Sequence, residues 1–345
     1  MNKKVNVVVF RTDASPSIGL GHLRRCITLA QMLRRHDAAI HFIVNRDPLV
    51  LSILKKYGFD GVGVEAHEDQ ELDRTQIYIK SLNSHALVID TYSAQGYALA
   101  QVHAQCVAVI DDLANRPLPV DVVINGSVNA SELTYVTSPQ TQLLLGPKYL
   151  LLRDEFSQEL SRWIRDRVER VLITVGGVDS FGLTSRLIAW TREAIGKVNL
   201  DVVLGPFFTQ ESLLRIEEVV AGDYAVTVHR DPQYLRDLML SCDLAITGGG
   251  QTVYELAATG TPCIAIKLAE NQSLNLIGLS AKGALLWAGD VRDRDLDDKV
   301  IKSLRDISVN KPLRDAMSQC GRSLVDGGGA VRVAQTLLQL CCSSK

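Results

Sequence analysis

The chain has no excess of positive charge, with 37 Lys and Arg against 39 Asp and Glu and a formal net charge of −2. Aromatic residues make up only 6%. There is neither a cationic field to draw in a polyanion nor a supply of ring faces for bases to stack on, so nucleic acid is not an expected partner. Long apolar runs are also missing. The first one, "VNVVVF", follows the basic "MNKK" and stops at Arg11. It is too short for the core of a signal peptide or a membrane span, so a cytoplasmic location without a span is expected. The seven cysteines form no CxxC pair and mostly lie inside apolar runs, as reduced core residues do. Cys341 and Cys342 are merely neighbours in the tail. No histidine lies four residues from another or beside a CxxC. Neither a structural metal nor a cofactor is expected.

What is present is the mix of a globular protein, 46% apolar and 22% charged over 345 residues. That length exceeds what one core usually serves, so two domains of about 150 residues each are expected. Short runs rich in β-branched residues, "VNVVVF", "AAIHFIV", "HALVID", "CVAVID" and "VDVVIN", read as buried strands. Between several of them lie helical patterns. In "HLRRCITLAQMLRR" the residues Leu23, Cys26, Ile27, Ala30 and Leu33 recur at helical spacing. After the charged stretch "RDEFSQELSRWIRDRVERV" the same βαβ grammar restarts with "VLITVGG", "NLDVVLG", "YAVTVH", "DLAITGGG" and "TPCIAIKLA" as strands. The expected fold class is α/β, with two Rossmann-like domains facing a cleft and ligands bound outside the carboxyl ends of the strands. The expected divisions are 1–158, 168–310 and a helical segment 311–345 that carries a "GGG" break and packs back on the first domain.

Two glycine turns carry the chemistry. "RTDASPSIGLGHLRRC" fits a strand, a loop holding Gly19 and Gly21, and a helix N-terminus at His22. Glycines allow close approach of backbone to ligand, and the helix start favours a polar or anionic group. The segment lacks the third glycine of a dinucleotide fingerprint and the GK[ST] of a P-loop. At a helix N-terminus a neutral imidazole is favoured, which suits His22 as a general base; a capping or structural histidine is the alternative. Asp13 could orient that ring, touch sugar hydroxyls, or close its own turn.

The second turn, "LAITGGGQTVYELAATGTP", places Gly248, Gly249, Gly250, Gln251 and Thr252 between a strand and a helix, with Glu255 in the helix's first turns. Such a loop can cradle a diphosphate, and the carboxylate can accept both hydrogens of a ribose diol. Gly176 and Gly177 end a parallel strand in "VLITVGGVDSFGLT". Glu270, Asn271 and Gln272 offer groups suited to a sugar bearing hydroxyls and acetamides, or simply start a helix. Asp111 and Asp112 end the strand in "VIDDLANRP" without the further carboxylates a divalent metal needs, and read as hydrogen-bonding or turn residues.

In order along the chain, "RTDASPSIGLGHLRRCITLA", "VIDDLANRP", "DVVINGSVN", "LLLGPKYLLLRDEF", "ITVGGVDSFGLT", "DLAITGGGQTVYELAATGTP" and "AENQ" resemble the UDP-sugar hydrolases of pseudaminic acid biosynthesis and the related spore-coat polysaccharide proteins. The resemblance runs from about residue 7 to about residue 275. It implies a glycosyltransferase-B-like fold and metal-independent loss of UDP from UDP-2,4-diacetamido-2,4,6-trideoxy-β-L-altropyranose, with inversion. It also implies His22 as the active-site histidine, Asn271 as the amide completing the site, and 248–252 with Glu255 as the UDP site. A glycosyltransferase, or a nucleotide-sugar-binding subunit without turnover, are the alternative readings.

Overall fold

The structure, a computed structural model, describes residues 6–15, 18–64, 76–92, 104–157 and 162–343. The basic start, Pro16 and Ser17 of the first glycine loop, and the side chains of Cys341 and Cys342 lie outside the described residues. The chain forms two compact units, one of Met1–Asp154 with Gly327–Lys345, the other of Glu155–Asp326. Residues 311–326 thus belong to the second unit, and only the segment after them returns to the first.

The first unit holds a parallel sheet of β1 (Val7–Thr12), β2 (Ala39–Asn45), β3 (Gly61–Val64), β4 (Ala86–Asp90), β5 (Cys106–Ile110), β6 (Val122–Asn125) and β7 (Gln142–Leu145), in the order β3-β2-β1-β4-β5-β6-β7. Strands β4, β5 and β6 are buried along their whole length, as strands covered on both faces must be. The strand order reverses between β1 and β4, where a parallel sheet opens a crevice at its carboxyl end. Thr12 pairs in register with Asp90 there, so the loops after β1 and β4 leave side by side.

Helix α1 (Gly21–Arg34) buries the expected stripe of Leu23, Cys26, Ile27, Ala30 and Leu33. Leu29 and Met32, off that stripe, are buried as well, and the last helix of the chain packs against α1. Helix α2 (Pro48–Lys56) begins under Asp47, whose side chain accepts from the amides of Leu49 and Val50.

The second unit repeats the plan with β8 (Arg170–Thr174), β9 (Asn199–Leu204), β10 (Val226–Arg230), β11 (Leu244–Gly248), β12 (Cys263–Lys267) and β13 (Leu286–Asp290), in the order β10-β9-β8-β11-β12-β13. Its reversal point lies between β8 and β11. Its helices are α3 (Leu183–Ile195), α4 (Gln210–Val220), α5 (Leu235–Ser241), α6 (Thr252–Thr259), α7 (Ser273–Ala281), α8 (Leu296–Val309) and α9 (Lys311–Leu324). The fully buried Arg314 of α9 donates to the carbonyls of Ile307 and Ser308 and to those of Arg165 and Asp166. It thereby ties the segment leading into β8 to the end of α8. The final helix, α10 (Gly329–Ser343), belongs to the first unit. Among the described residues, no helix is long and apolar enough to cross a membrane.

Candidate active site

Each unit presents its chemistry-bearing residues at the point where its strand order reverses. In the first unit, Gly19 adopts φ +86°, a backbone conformation that glycine takes without strain, and its amide bonds the carbonyl of Ser15 at 2.7 Å. A side chain at Gly19 or Gly21 would meet open space. Leu20 gives α1 no side-chain cap, so the amides of its first turn are left for solvent or a ligand.

His22 lies one residue into that turn and is 7% exposed. Its Nδ1 is 2.6 Å from Oδ1 of Asp90, at the end of β4. Asp90 is fully buried. Burial works against its charge, but the Arg25 guanidinium and the His22 ring outweigh it and hold the carboxyl well below the usual carboxylate range. An ionised Asp90 can only accept, so the bond places the ring proton on Nδ1. That leaves Nε2 as the basic nitrogen, with no hydrogen-bond partner among the described residues.

Asp90 is shared. Arg25, one helical turn beyond His22, bonds Oδ2 through Nε at 2.6 Å and Oδ1 through NH2 at 2.7 Å. Its NH1 reaches both oxygens of Asp112, at 2.8 and 3.0 Å. Tyr92 donates its hydroxyl to Asp112 at 3.2 Å and sets its ring edge-on to the imidazole, 4.6 Å between centroids. Asp13 is buried and takes bonds from Arg11 and Thr91. It is therefore Asp90, not Asp13, that contacts the imidazole, because Asp13 is committed to its own strand and to the neighbouring loop. Asp111 is buried too, and its Oδ1 accepts the amides of Leu113 at 3.1 Å and Ala114 at 2.6 Å, so that it closes its own turn.

In the second unit Gly248 and Gly249 are buried at the end of β11, and Gly250 leads into α6. A Cβ on Gly249 would stand 2.7 Å from Leu276 Cδ1, and one on Gly248 would stand 2.5 Å from Leu268 Cδ1 and 3.3 Å from the carbonyl oxygen of Val175. The loops after β8, β11 and β12 therefore touch. Gln251 at the start of α6 makes no side-chain cap, and Thr252 and Glu255 follow it in the first turn. By contrast, the start of α3 is already filled by Asp179, whose two oxygens take the amides of Leu183 and Thr184. Of the two helix starts beside the reversal point, that of α6 is the one without a carboxylate cap.

Gly176 takes φ +104° with open space where a side chain would be, and the carbonyl of Gly177 accepts the amide of Phe207 at 3.0 Å. Both carbonyls would collide with a Cβ on Gly205, a requirement the sequence reading did not single out. Gly205→Ala is expected to cost about 1–3 kcal/mol by overpacking, read as a lower thermal midpoint. A midpoint equal to wild type would show that the loop after β8 yields freely.

Gln272 lies against Gly250, and its Oε1 accepts the amide of Leu268 at 2.9 Å, bracing the loop after β12. Glu270 pairs with Lys267 at 3.0 Å on the surface, and Asn271 is exposed beside it. Among the described residues, no three His, Cys, Asp or Glu side chains gather as metal ligands.

The chain matches no family model. Its curated relatives include the spore coat polysaccharide biosynthesis protein SpsG of Bacillus subtilis, 24% identical over 95% of this chain and 96% of that protein. A UDP-2,4-diacetamido-2,4,6-trideoxy-β-L-altropyranose hydrolase of Campylobacter jejuni is 22% identical over 80% of this chain and 97% of that one. The uncharacterized protein MJ1062 of Methanocaldococcus jannaschii is 27% identical over 74% of this chain, and the chain spans about half of it, 54%. Among solved structures, MurG of Acinetobacter baumannii superposes with a TM-score of 0.67 at 16% identity, over 97% of this chain and 99% of MurG. The spinosyn forosaminyltransferase SpnP superposes at 0.69 and 14%, over 99% and 100%. These structures show the fold: two Rossmann-like domains, as in glycosyltransferases of the B type. The chain is therefore similar, at 22–24% identity, to SpsG and to UDP-diacetamido-trideoxy-altropyranose hydrolases.

Proposed function

We propose that the chain hydrolyses a UDP-linked diacetamido-trideoxy sugar to UDP and the free sugar, with inversion at the anomeric carbon. The observation that carries this reading is the imidazole of His22, anchored through Nδ1 to a buried carboxylate and left with Nε2 as its basic nitrogen. That is the arrangement a general base needs. Nε2 takes a proton from water as its oxygen forms a bond to the anomeric carbon. The bond from that carbon to the diphosphate oxygen breaks, and UDP leaves with the electron pair. A single displacement from the opposite face inverts the centre. Asp90 stabilises the positive charge the ring acquires with the proton, as the aspartate of a catalytic triad does.

The second unit supplies the leaving-group chemistry. The amides of Gly250 and Thr252, where the glycine turn enters α6, would donate to the departing diphosphate, where charge grows most in the transition state. In this reading Glu255, 8% exposed in that turn, accepts from the ribose diol. Asn271 is assigned to the sugar's acetamido groups. The hydrolase relative supports UDP-sugar hydrolysis by its name and SpsG supports a place in polysaccharide biosynthesis, and the two alignments cover nearly the whole lengths of those proteins.

Incubation with a panel of UDP- and CMP-linked diacetamido sugars, followed by NMR, tests it. The expected result is UDP and a free sugar of inverted configuration without any acceptor. Release of UDP only when an acceptor alcohol is added would make the chain a glycosyltransferase and overturn the hydrolase reading. No release in either case would leave a binding subunit. Glu255→Ala is expected to weaken UDP binding about tenfold or more, since a hydrogen bond to a charged group is worth about 1.5–3 kcal/mol. An unchanged calorimetric isotherm would remove Glu255 from the ribose site.

A further inference from the structure

A histidine 2.6 Å from a buried carboxylate has a structural problem as a base: an opposite charge at that distance favours the protonated ring, whereas a base must be free of its proton. We propose that Arg25 solves this problem and is the positioning residue that makes the His22–Asp90 pair usable as a base. The inference rests on the role given to His22 above.

Arg25 takes both oxygens of Asp90, and its NH2 stands 3.1 Å from Nδ1 of His22. The guanidinium cannot lose its charge, so it opposes a second positive charge on the ring and claims much of the Asp90 field that would otherwise hold one there. Its own charge is secured from the far side. Burial disfavours it, but Asp112 and Asp90 raise Arg25 well above its ordinary value. Asp112 is the more exposed of the two carboxylates, at 23% against 0%, and among the described residues it touches the cluster through Arg25 and the Tyr92 hydroxyl.

Among the described residues that contact the cluster, the others are neutral or already paired. Cys26 on α1 lies 3.5 Å behind Asp90, where burial and then the carboxylate push its thiol well up and keep it neutral. Asp13 is paired with Arg11. Among the described residues, the charged groups that contact His22 are thus Asp90 from β4, Arg25 from α1 and, at one remove, Asp112 from the loop after β5. Tyr92 fixes the ring edge-on. The forked side chain lets one cation hold two carboxylates and still lie against the imidazole.

The test is a pH titration of the His22 ring nitrogens by NMR on the ¹⁵N-labelled full chain, with His22→Asn assigning the signals. Arg25→Gln is expected to raise the titration midpoint by about one pH unit or more, the usual effect of losing a neighbouring charge. Arg25→Lys, which keeps a cation beside Asp90, should restore most of it. Asp112→Asn should lower the midpoint, because Arg25 then has one carboxylate fewer to satisfy. In turnover assays the acid limb of kcat should move with the Arg25→Gln midpoint while KM holds. A midpoint within about 0.3 unit of wild type in Arg25→Gln would overturn the proposal. If that variant fails to fold, Asp112→Asn decides, a downward shift supporting the proposal and no shift refuting it. The titration needs no substrate. A moved midpoint in a protein that releases no UDP would sink the hydrolase reading and leave the Arg25 assignment standing.

Discussion

Asp90→Asn is expected to lower kcat by about 10²–10⁴-fold with KM little changed, the range that positioned general-base catalysis contributes. The reason is the tautomer rather than the fold. Asp90 accepts the Nδ1 proton of His22 at 2.6 Å. The amide of asparagine can instead donate to Nδ1, which drives the ring proton to Nε2, the nitrogen that in the proposed mechanism accepts one from water. A triad aspartate changed to asparagine loses activity for this reason. Arg25 keeps Asp112 as a partner in the variant, so the helix and sheet ends remain tied. Nitrogen-15 shifts of the ring distinguish the two tautomers directly. A wild-type rate, or a slow variant whose ring still carries its proton on Nδ1, would show that Asp90 acts otherwise.

His22→Asn carries the second large effect. The variant should fold and bind UDP as wild type does, since the donors proposed for the diphosphate lie on the second unit, while turnover drops by about 10²-fold or more. The asparagine amide can still bond Asp90, so that buried carboxylate is not abandoned. Combining the two substitutions should cost no more than His22→Asn alone, because groups that act as one unit lose their effect together. Multiplicative losses would mean that Asp90 and His22 serve separate steps, and an undiminished rate in the single variant would refute the base.

The contrast between His22 and Asp90 marks the limit of what the sequence shows. His22 is visible because everything that makes it suspicious is local: a strand, a loop with a glycine at φ +86° and a helix start. Asp90 ends "HALVID", and Asp111 ends the nearly identical "CVAVID". Only the strand order separates them. With β4 beside β1, the first aspartate faces α1, while the second, one strand further out, folds its carboxylate into its own turn. A buried strand that ends in aspartate was the available signal, and it could not say which of two such strands lies beside β1. Arg25 was legible as a residue but not as a partner of two carboxylates 65 and 87 positions away.

The buried strands announced themselves by unbroken apolar runs. The edge strands β3 and β7 did not, because "GVGV" and "QLLL" are short and partly exposed and need apolar neighbours on only one side. Gly205 was invisible for a similar reason: its constraint comes from the carbonyls of Gly176 and Gly177, on another strand's loop. In the second unit, the triple glycine with Glu255 was legible from its own spacing, and the structure adds that the neighbouring helix start is already capped by Asp179.

Residues 327–345 return to the amino-terminal unit, where Ala330, Val333, Ala334 and Leu337 are buried and Gly329 presses on the backbone of Leu150. That unit is therefore a discontinuous folding body. On the ribosome it stays unfinished until the intervening 155–326 have been made, with part of its apolar surface waiting for the last helix and open to self-association. A 1–154 fragment expressed alone should accordingly partition into inclusion bodies, and co-expression of 327–345 should bring it back into solution. A well-dispersed, cooperatively melting 1–154 fragment would show that the returning helix is dispensable.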